Sequence, residues 1–185
     1  MVITQITGPN ALPITLTDAK NNLRVTGADD DQTIQRLMRS ATDNIEMMTG
    51  QRLVTQTWDL YRDCLSEEMQ IPYPPLQSVS YVKYLDADGA WQTLDTSLYT
   101  VDTYSFPGRI YRTYAATWPT VQYTPNSVQI RFVAGYGTAQ QVPARFVDMI
   151  LLDMKRNYEP TEDKYFQNLS DRLEGMIMKD RVTWL

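Results

Sequence analysis

The sequence predicts an α+β fold in which a small helical bundle carries an inserted antiparallel β-sheet region. Two helical patterns precede residue 51 and one or two follow residue 137, whereas the stretch between them is rich in β-branched and aromatic residues. With 185 residues, the chain can bury roughly two-thirds of its unfolded surface. We therefore expect an extended N-terminal arm at residues 1–16 and a helical core made of residues 17–50 and 138–160. A β-rich region is inserted at residues 51–137, and a C-terminal helix with a tail follows at residues 161–185.

Two helices are predicted before the β-rich region. Thr17 is expected to cap a short helix of about two turns that ends near Arg24, with Asp18 favourably placed at its positive end. Residues 29–50 give the strongest helical pattern, because apolar residues recur every three or four positions: Ile34, Leu37, Met38, Ala41, Ile45 and Met48. Asp29 or Asp30 can cap that helix, and Gly50 can follow its end.

The β-rich region is expected to be organised around a hairpin. Val79 to Leu85 reads as a strand, Asp86 to Gly89 as its turn, and Ala90 to Leu94 as the returning strand. We place this hairpin at the centre of the sheet. Other strands are predicted at 53–65, 98–101 and 127–133, the last from strict alternation of apolar and polar residues.

Helical spacing returns after the sheet. Pro143 suits the first turn of a helix that Pro160 stops. A last amphipathic segment, 162–179, is followed by an apolar tail. We expect the helices at 29–50 and 143–158 to pack together. Gly175 should weaken the last helix by roughly 1 kcal/mol relative to alanine.

The residue inventory disfavours an enzyme. Histidine is absent, which removes the commonest general base and zinc ligand, and Cys64 is the only cysteine, so no internal disulfide can form. We expect Cys64 to be buried and structural, and no catalytic, metal or cofactor site. The formal net charge of −5 is poorly suited to gripping duplex DNA but compatible with a surface past which DNA slides.

Three weaker interpretations compete with a purely structural role. A hydrolase could use two of the acidic residues of the β-rich region, but nothing in the sequence brings a pair to the required separation. Asp86 to Gly89 faintly echoes a calcium loop without the later glutamate, so a hairpin turn is favoured. Tyrosines between Tyr99 and Tyr123 slightly favour an interface, which would also suit a carbohydrate- or protein-binding module of a virion.

Seven pieces in fixed order resemble tailed-phage head–tail connector (adaptor, head-completion) proteins. They cover about residues 13 to 158 and include the Pro-Ile-Thr-Leu-Thr-Asp-Ala-Lys opening at Pro13, the Thr-Gly helix end at Gly50, and the Gln-Arg-Leu-Val-Thr strand at Gln51. The remaining pieces are Pro74 to Val79, the Asp86 turn, the strand from Val128 ending in Ala-Gly-Tyr-Gly, and Val142-Pro143 before a helix.

The resemblance implies a structural protein of the virion, located at the head–tail joint and assembled in the host cytoplasm. It implies a homo-oligomeric ring, usually of twelve copies, that docks on the portal after DNA packaging and carries the next neck, stopper or tail-completion protein. DNA would pass through the lumen without specific binding, with acidic residues preferentially on the lumen side. We expect the apolar face of the last segment and the tail to dock on the portal: Phe166, Leu169, Leu173, Met176, Ile177, Val182, Trp184 and Leu185.

Overall fold

The protein is an α+β chain, as predicted, with helices on either side of two antiparallel sheets in the sequence. This computed structural model describes residues 1–158 and 164–182, with side chains in the second range described from Gln167 onward. By its internal contacts the chain divides into two compact units. The sheet unit comprises Met1–Pro9 and Thr55–Gly135, and the helical unit comprises Asn10–Val54 and Tyr136–Leu185.

The helical unit contains four helices within the described residues: α1 (Leu16–Leu23), α2 (Asp31–Thr49), α3 (Ala144–Tyr158) and α4 (Lys164–Asp180). Helices α2 and α3 pack together, as predicted, and α4 contacts both. Their buried faces form one hydrophobic core that includes Ile34, Ile45, Phe146 and Ile150, each fully buried.

Two details of the first helices differ from the prediction. Thr15, not Thr17, caps α1: its hydroxyl accepts from the Asp18 amide at 3.2 Å while the Asp18 carboxylate accepts from the Thr15 amide at 3.3 Å. Asp30 is the first residue before α2 but makes no side-chain cap. Its carboxylate instead accepts a hydrogen bond from the Tyr158 hydroxyl at 2.8 Å, which ties the start of α2 to the end of α3.

The end of α2 matches the prediction except at one residue. Gly50 follows the helix with φ +72°, a left-handed conformation that glycine adopts without strain. Met48, which its spacing had placed on the buried face, is 40% exposed, because the apolar face ends at Ile45 and Thr49 is the residue buried in the last turn.

The sheet unit contains a five-stranded and a three-stranded antiparallel sheet. The first has the order β1–β2–β8–β4–β5 and the second β3–β7–β6. Their strands are β1 (Val2–Thr7), β2 (Gln56–Arg62), β3 (Glu68–Gln70), β4 (Leu76–Leu85), β5 (Trp91–Thr93), β6 (Tyr99–Asp102), β7 (Arg109–Arg112) and β8 (Val128–Ala134).

The hairpin of β4 and β5 is not at the centre of its sheet. The central strand is β8, which pairs with β2 on one side and β4 on the other, while β5 lies at one edge and β1 at the other. Strand β8 has the alternating burial that its sequence predicted. Both edges of β8 are hydrogen-bonded to neighbouring strands, and one of its faces is buried, which makes it the centre of the five-stranded sheet.

Strand β2 is shorter than the 53–65 predicted. It begins at Gln56 because Leu53 and Val54, both almost completely buried, belong to the core of the helical unit. It ends at Arg62, so Cys64 lies beyond it and is exposed, contrary to the expected burial. The extended segment at the N-terminus pairs with β2 as strand β1.

Candidate interaction surfaces

The predicted docking surface at the C-terminus divides into buried, half-buried and undescribed residues. Leu173, Ile177 and Val182 are 2%, 8% and 9% exposed, and the first two belong to the helical core. Leu169 and Met176 are half-buried. The side chain of Phe166 and the whole of Trp184 and Leu185 lie outside the described residues. The prediction for this surface stays untested, but three of its residues already have a role inside the helical unit.

The end of α4 is anchored to the end of α2 by polar contacts. The Val182 amide donates to the Thr49 carbonyl at 2.9 Å, and the Gln51 side chain donates to the Asp180 carbonyl. The Arg145 guanidinium donates to the Asp180 carboxylate at 2.7 Å. The first two contacts hold the chain beside the end of α2 as far as Val182, and the third ties the end of α4 to the start of α3.

An apolar groove of about 430 Å³ lies where these two helix ends meet. Its walls include Met47, Met48 and Met178, which are 70%, 40% and 76% exposed, together with Gly50, Ile177 and Val182. Glu174 and Arg181 also line it. Sequence reasoning missed this groove. The available signal was the tandem Met47-Met48 at a helix end, since only one of two adjacent residues can face a helical core.

A polar cluster covers one face of the five-stranded sheet. Asp59 lies opposite Arg131, which lies opposite Tyr81, on adjacent strands. The Arg131 guanidinium donates to both carboxylate oxygens of Asp59 at 2.8 Å, and Gln129 donates to the same carboxylate at 2.8 Å. Asp59 is 1% exposed although it points away from the apolar core face, because these side chains cover it.

The same cluster sets the charge state of Asp59. Burial alone would raise the pKa of its carboxyl group, but hydrogen bonds from Arg131 and Gln129 and the nearby Lys83 outweigh burial and lower the pKa. The Tyr81 ring lies close to both cations, with Arg131 Cζ 5.1 Å and Lys83 Nζ 4.7 Å from its centroid. Asp59 and Arg131 therefore both stay charged across the neutral range, and their hydrogen bonds link β2 to β8 on this face of the sheet.

Three loop tyrosines of the sheet unit are fully in solvent. Tyr104, Tyr114 and Tyr123 are 99%, 98% and 101% exposed, and Phe106 is about half exposed. Aromatic side chains in loops supply large contact areas for partners at small entropic cost. The tyrosine excess between Tyr99 and Tyr123 predicts such a surface, and these three tyrosines are the ones whose side chains are exposed to solvent.

The loop that carries Tyr104 is held by Asp102. Its carboxylate accepts hydrogen bonds from the Ser105 hydroxyl, the Ser105 and Tyr104 amides and Arg109. These donors, the Ser105 hydroxyl first, lower the pKa of Asp102 to about 2. The loop is therefore organised by an ionised carboxylate throughout the physiological range.

Two of the acidic residues of the β-rich region have structural partners that account for them. Asp86 accepts hydrogen bonds from the Asp88 and Ala90 amides at 3.0 and 2.9 Å and from the Gln92 side chain at 2.8 Å, which makes it the organiser of a hairpin turn. Asp95 accepts from the Ser97 amide at 2.8 Å and caps a single helical turn. Within the part of the chain that the structure describes, no group of acidic or cysteine residues could hold a metal ion.

No helix among the described residues is both long and apolar enough to cross a membrane.

Comparisons with known proteins agree with the resemblance found in the sequence. Residues 13–84 match the family described as phage gp6-like head-tail connector protein, which confirms the resemblance to head–tail connectors over that part of the chain. The search of curated proteins finds no match.

Three solved structures from gene transfer agent (GTA) particles share the fold. The neck of an empty GTA particle computed with C6 symmetry contains a chain with a TM-score of 0.80 and 18% identity. The virion of a native GTA particle gives 0.75 and 17%, and the neck of a native GTA particle computed with C12 symmetry gives 0.75 and 20%. Each match covers 100% of this chain and 97% of the other. At these identities the likeness shows a shared fold.

Proposed function

We propose that this chain is a structural, non-enzymatic protein of a tailed-phage-like particle that forms the connector between head and tail. The observation that carries the proposal is the match of residues 13–84 to the head–tail connector family. The fold, shared along the whole chain with proteins from GTA necks and virions, supports it. In this role the protein docks on the portal after DNA packaging and offers a platform to the next neck, stopper or tail-completion protein at the virion's head–tail joint, after assembly in the host cytoplasm.

The working form would be a closed ring of identical copies. The related neck structures were computed with C6 and C12 symmetry, and we propose twelve copies here. In a cyclic ring each copy presents two different patches to its two neighbours. The sheet unit has exposed loop tyrosines and the helical unit has exposed methionines, so each unit has apolar surface available for such contacts.

The C-terminal segment is the proposed portal contact. Leu169 and Met176 of α4 are half-buried, and Phe166, Trp184 and Leu185 complete the proposed surface. Leu173, Ile177 and Val182 take part in a different way, since they fix the segment to the helical unit from inside. The proposed docking surface would therefore lie on the outer side of a segment whose inner side packs against the helical unit.

We also propose that acidic residues line the lumen. The chain has 22 acidic and 17 basic residues, and a negative lumen repels phosphates, so DNA would pass without specific binding. A structure of the assembled ring decides this point. A predominantly basic lumen would contradict it.

The function is tested by disrupting the gene in its phage or prophage and examining the particles by electron microscopy. We expect DNA-filled or leaking heads that lie separate from complete tails. Restoring the gene in trans should restore joined particles. Normal, infectious tailed particles in the disrupted strain would contradict the connector role.

The exposed tyrosines favour a second candidate, a carbohydrate- or protein-binding module of a virion. Tyr104, Tyr114 and Tyr123 are the residues that would carry it. A glycan array distinguishes this candidate from the connector, because binding that is lost in Tyr→Ala variants would favour it. An array without hits would leave the connector as the better account.

A further inference from the structure

The five-stranded sheet of the sheet unit ends in two open edges. Strand β1 forms one edge and β5 the other, and each is paired with a neighbour on its inner side. Among the residues that the structure describes, no backbone hydrogen bond joins either strand to a segment outside that pairing. An edge strand presents a row of backbone N–H and C=O groups, and a strand of another chain satisfies them best.

Neither edge has the charged side chains or prolines that usually keep edge strands from pairing. The edge strands of the three-stranded sheet do carry charges, Glu68 in β3 and Asp102 in β6. All three residues of β5 are exposed, as are all residues of β1 except Ile3. A bulge after Gln5 limits the regular part of β1 to Val2–Gln5, a stretch similar in length to β5.

The directions of the strands decide how two copies can join. Every neighbouring pair in the order β1–β2–β8–β4–β5 is antiparallel, so β1 and β5 run in the same direction. One step around a ring of twelve turns a strand by at most about 30°, close to the twist of roughly 20–25° between neighbouring strands. The β5 edge of one copy can therefore lie parallel to the β1 edge of the next.

We propose that β1 of each copy pairs in parallel with β5 of its neighbour, so that the five-stranded sheets join into one continuous sheet around the ring. This inference rests on the proposed function, because it names the contact between copies in the proposed ring. The two edges are different surfaces of one chain, as a closed ring requires. Neither strand has a charge that pairing would desolvate.

The short length of the pairing says when it forms. Three residues of β5 against the regular part of β1 bury less area than the roughly 1,200 Å² of a stable, specific interface. We therefore expect the free chain to be a monomer at micromolar concentration. The pairing forms in the assembled ring, where other contacts already hold the copies side by side.

A disulfide between the two edges can report this contact without ambiguity. Thr4 lies opposite Asp59 and Thr93 opposite Lys83, which places both threonines on the polar face of the sheet. Within one copy they are four strand spacings apart, roughly 19 Å. Because the Cα atoms of a disulfide lie within about 7 Å of each other, a bond between these positions must join two copies.

The experiment uses particles purified from a phage whose gene carries Thr4→Cys and Thr93→Cys, with Cys64→Ser to remove the exposed native thiol. After oxidation, electrophoresis without reductant should show most of this protein as a ladder of linked oligomers. Val2→Cys in place of Thr4→Cys tests a register shifted by two residues. All of these sites are exposed, so we expect the variants to fold.

The matched control moves one thiol to the opposite face of the sheet. Gln92 is exposed, adjoins Thr93 and lies opposite Tyr84, so its side chain points away from the polar face. Thr4→Cys combined with Gln92→Cys should therefore give no ladder. Each single cysteine variant should also stay at the position of the monomer.

Two results would overturn the inference. In the first, heads and tails are joined but neither the Thr4 nor the Val2 pair with Thr93 gives linked oligomers. In the second, Thr4→Cys alone gives dimers, which means that two β1 edges pair about a two-fold axis. The connector role itself fails on a different result, normal particles after disruption of the gene, so the two failures are distinguishable.

Discussion

At the scale of single residues, the pair formed by the buried Asp59 and the half-buried Arg131 has the largest predicted effect. Asp59 is 1% exposed and its carboxylate is held by Arg131 and Gln129. Replacing Arg131 by methionine keeps most of the side-chain length but leaves a buried carboxylate without its cation. We expect the free energy of unfolding to fall by about 3 kcal/mol, measured by urea denaturation at neutral pH.

The control for this variant is Arg112→Met, which breaks a pair with Glu67. The Glu67 side chain is 77% exposed, so its pair with Arg112 should contribute less than about 1 kcal/mol. The double variant with Asp59→Asn should regain part of what Arg131→Met loses. If Arg131→Met and Arg112→Met lowered the free energy of unfolding equally, Asp59 would not be a buried charge that Arg131 stabilises.

The same pair has a predictable dependence on pH. The folded state lowers the pKa of Asp59 below that of the unfolded chain, so the contribution of this residue is complete above about pH 4 and is lost as the pH falls through the folded pKa. Without Arg131, the pKa of Asp59 in the folded state should be higher than in the wild type, because burial is then opposed by fewer favourable contacts. Protonation of Asp59 therefore costs the variant less stability than it costs the wild type, and the difference in free energy of unfolding between wild type and Arg131→Met should shrink as the pH falls below about 4, as pH-dependent denaturation can measure.

Asp102 gives a prediction that needs no unfolding experiment. Its pKa of about 2 depends first on the Ser105 hydroxyl, so Ser105→Ala should raise the pKa towards the ordinary value of 3.8. Carboxyl NMR titration measures the change directly. Asp95, whose low pKa comes from Ser97, is the internal reference and should keep its pKa. An unchanged pKa of Asp102 would mean that the hydroxyl does not organise the loop.

At the scale of elements, two glycines of the helical unit, one inside α4 and one directly after α2, should respond oppositely to alanine. Gly175 lies inside α4, and a methyl group there would meet nothing within 4 Å. Gly175→Ala should therefore stabilise α4 by about 0.5–1 kcal/mol through helix propensity alone. Hydrogen exchange of the α4 amides measures this locally.

Gly50→Ala is the matched control. Gly50 has φ +72°, where a side chain costs about 1–2 kcal/mol, although its added methyl group would find space beside Val182 at 3.6 Å. We expect faster exchange at the end of α2. If both substitutions changed stability in the same direction, backbone conformation would not be the deciding factor at these sites.

The element types were predictable from sequence because each rests on local periodicity. The helices at 31–49 and 144–158, the alternating strand β8 and the turn after Asp86 all follow from spacings within a few residues. The fold class followed from their order. Predicted element boundaries were wrong where tertiary packing determines them. Leu53 and Val54 have the residue types of a strand, but they pack in the core of the helical unit.

The order of strands and the surfaces could not be predicted in the same way. Nothing local distinguishes β8 as the central strand, since its paired residues lie between 44 residues (Tyr84 to Val128) and 78 residues (Gln56 to Ala134) earlier in the sequence. Burial of Cys64 was expected because free cysteines are commonly buried in folded proteins. Its position just after β2 instead leaves it exposed. The methionine groove required knowing that α4 ends beside α2.

At the scale of the whole molecule, each unit is built from two separated parts of the chain and has its own hydrophobic core. The helical unit is closed by α4, whose Leu173 and Ile177 belong to that core. Removing everything after Pro160 would therefore destabilise the unit as well as remove the proposed portal contact. Such a truncation cannot distinguish a docking role from a folding role.

A shorter truncation separates the two roles. A chain that ends at Val182 keeps the buried residues of α4 but lacks Trp184 and Leu185, two residues of the proposed portal contact. We expect it to keep the thermal stability of its helical core within a few degrees and to bind its portal at least tenfold more weakly in a sedimentation or pull-down assay. Trp91→Ala, which removes an exposed aromatic side chain from the sheet unit, should bind normally. Undiminished binding by the chain ending at Val182 would exclude Trp184 and Leu185 as portal contacts and confine docking at the C-terminus to the outer surface of α4.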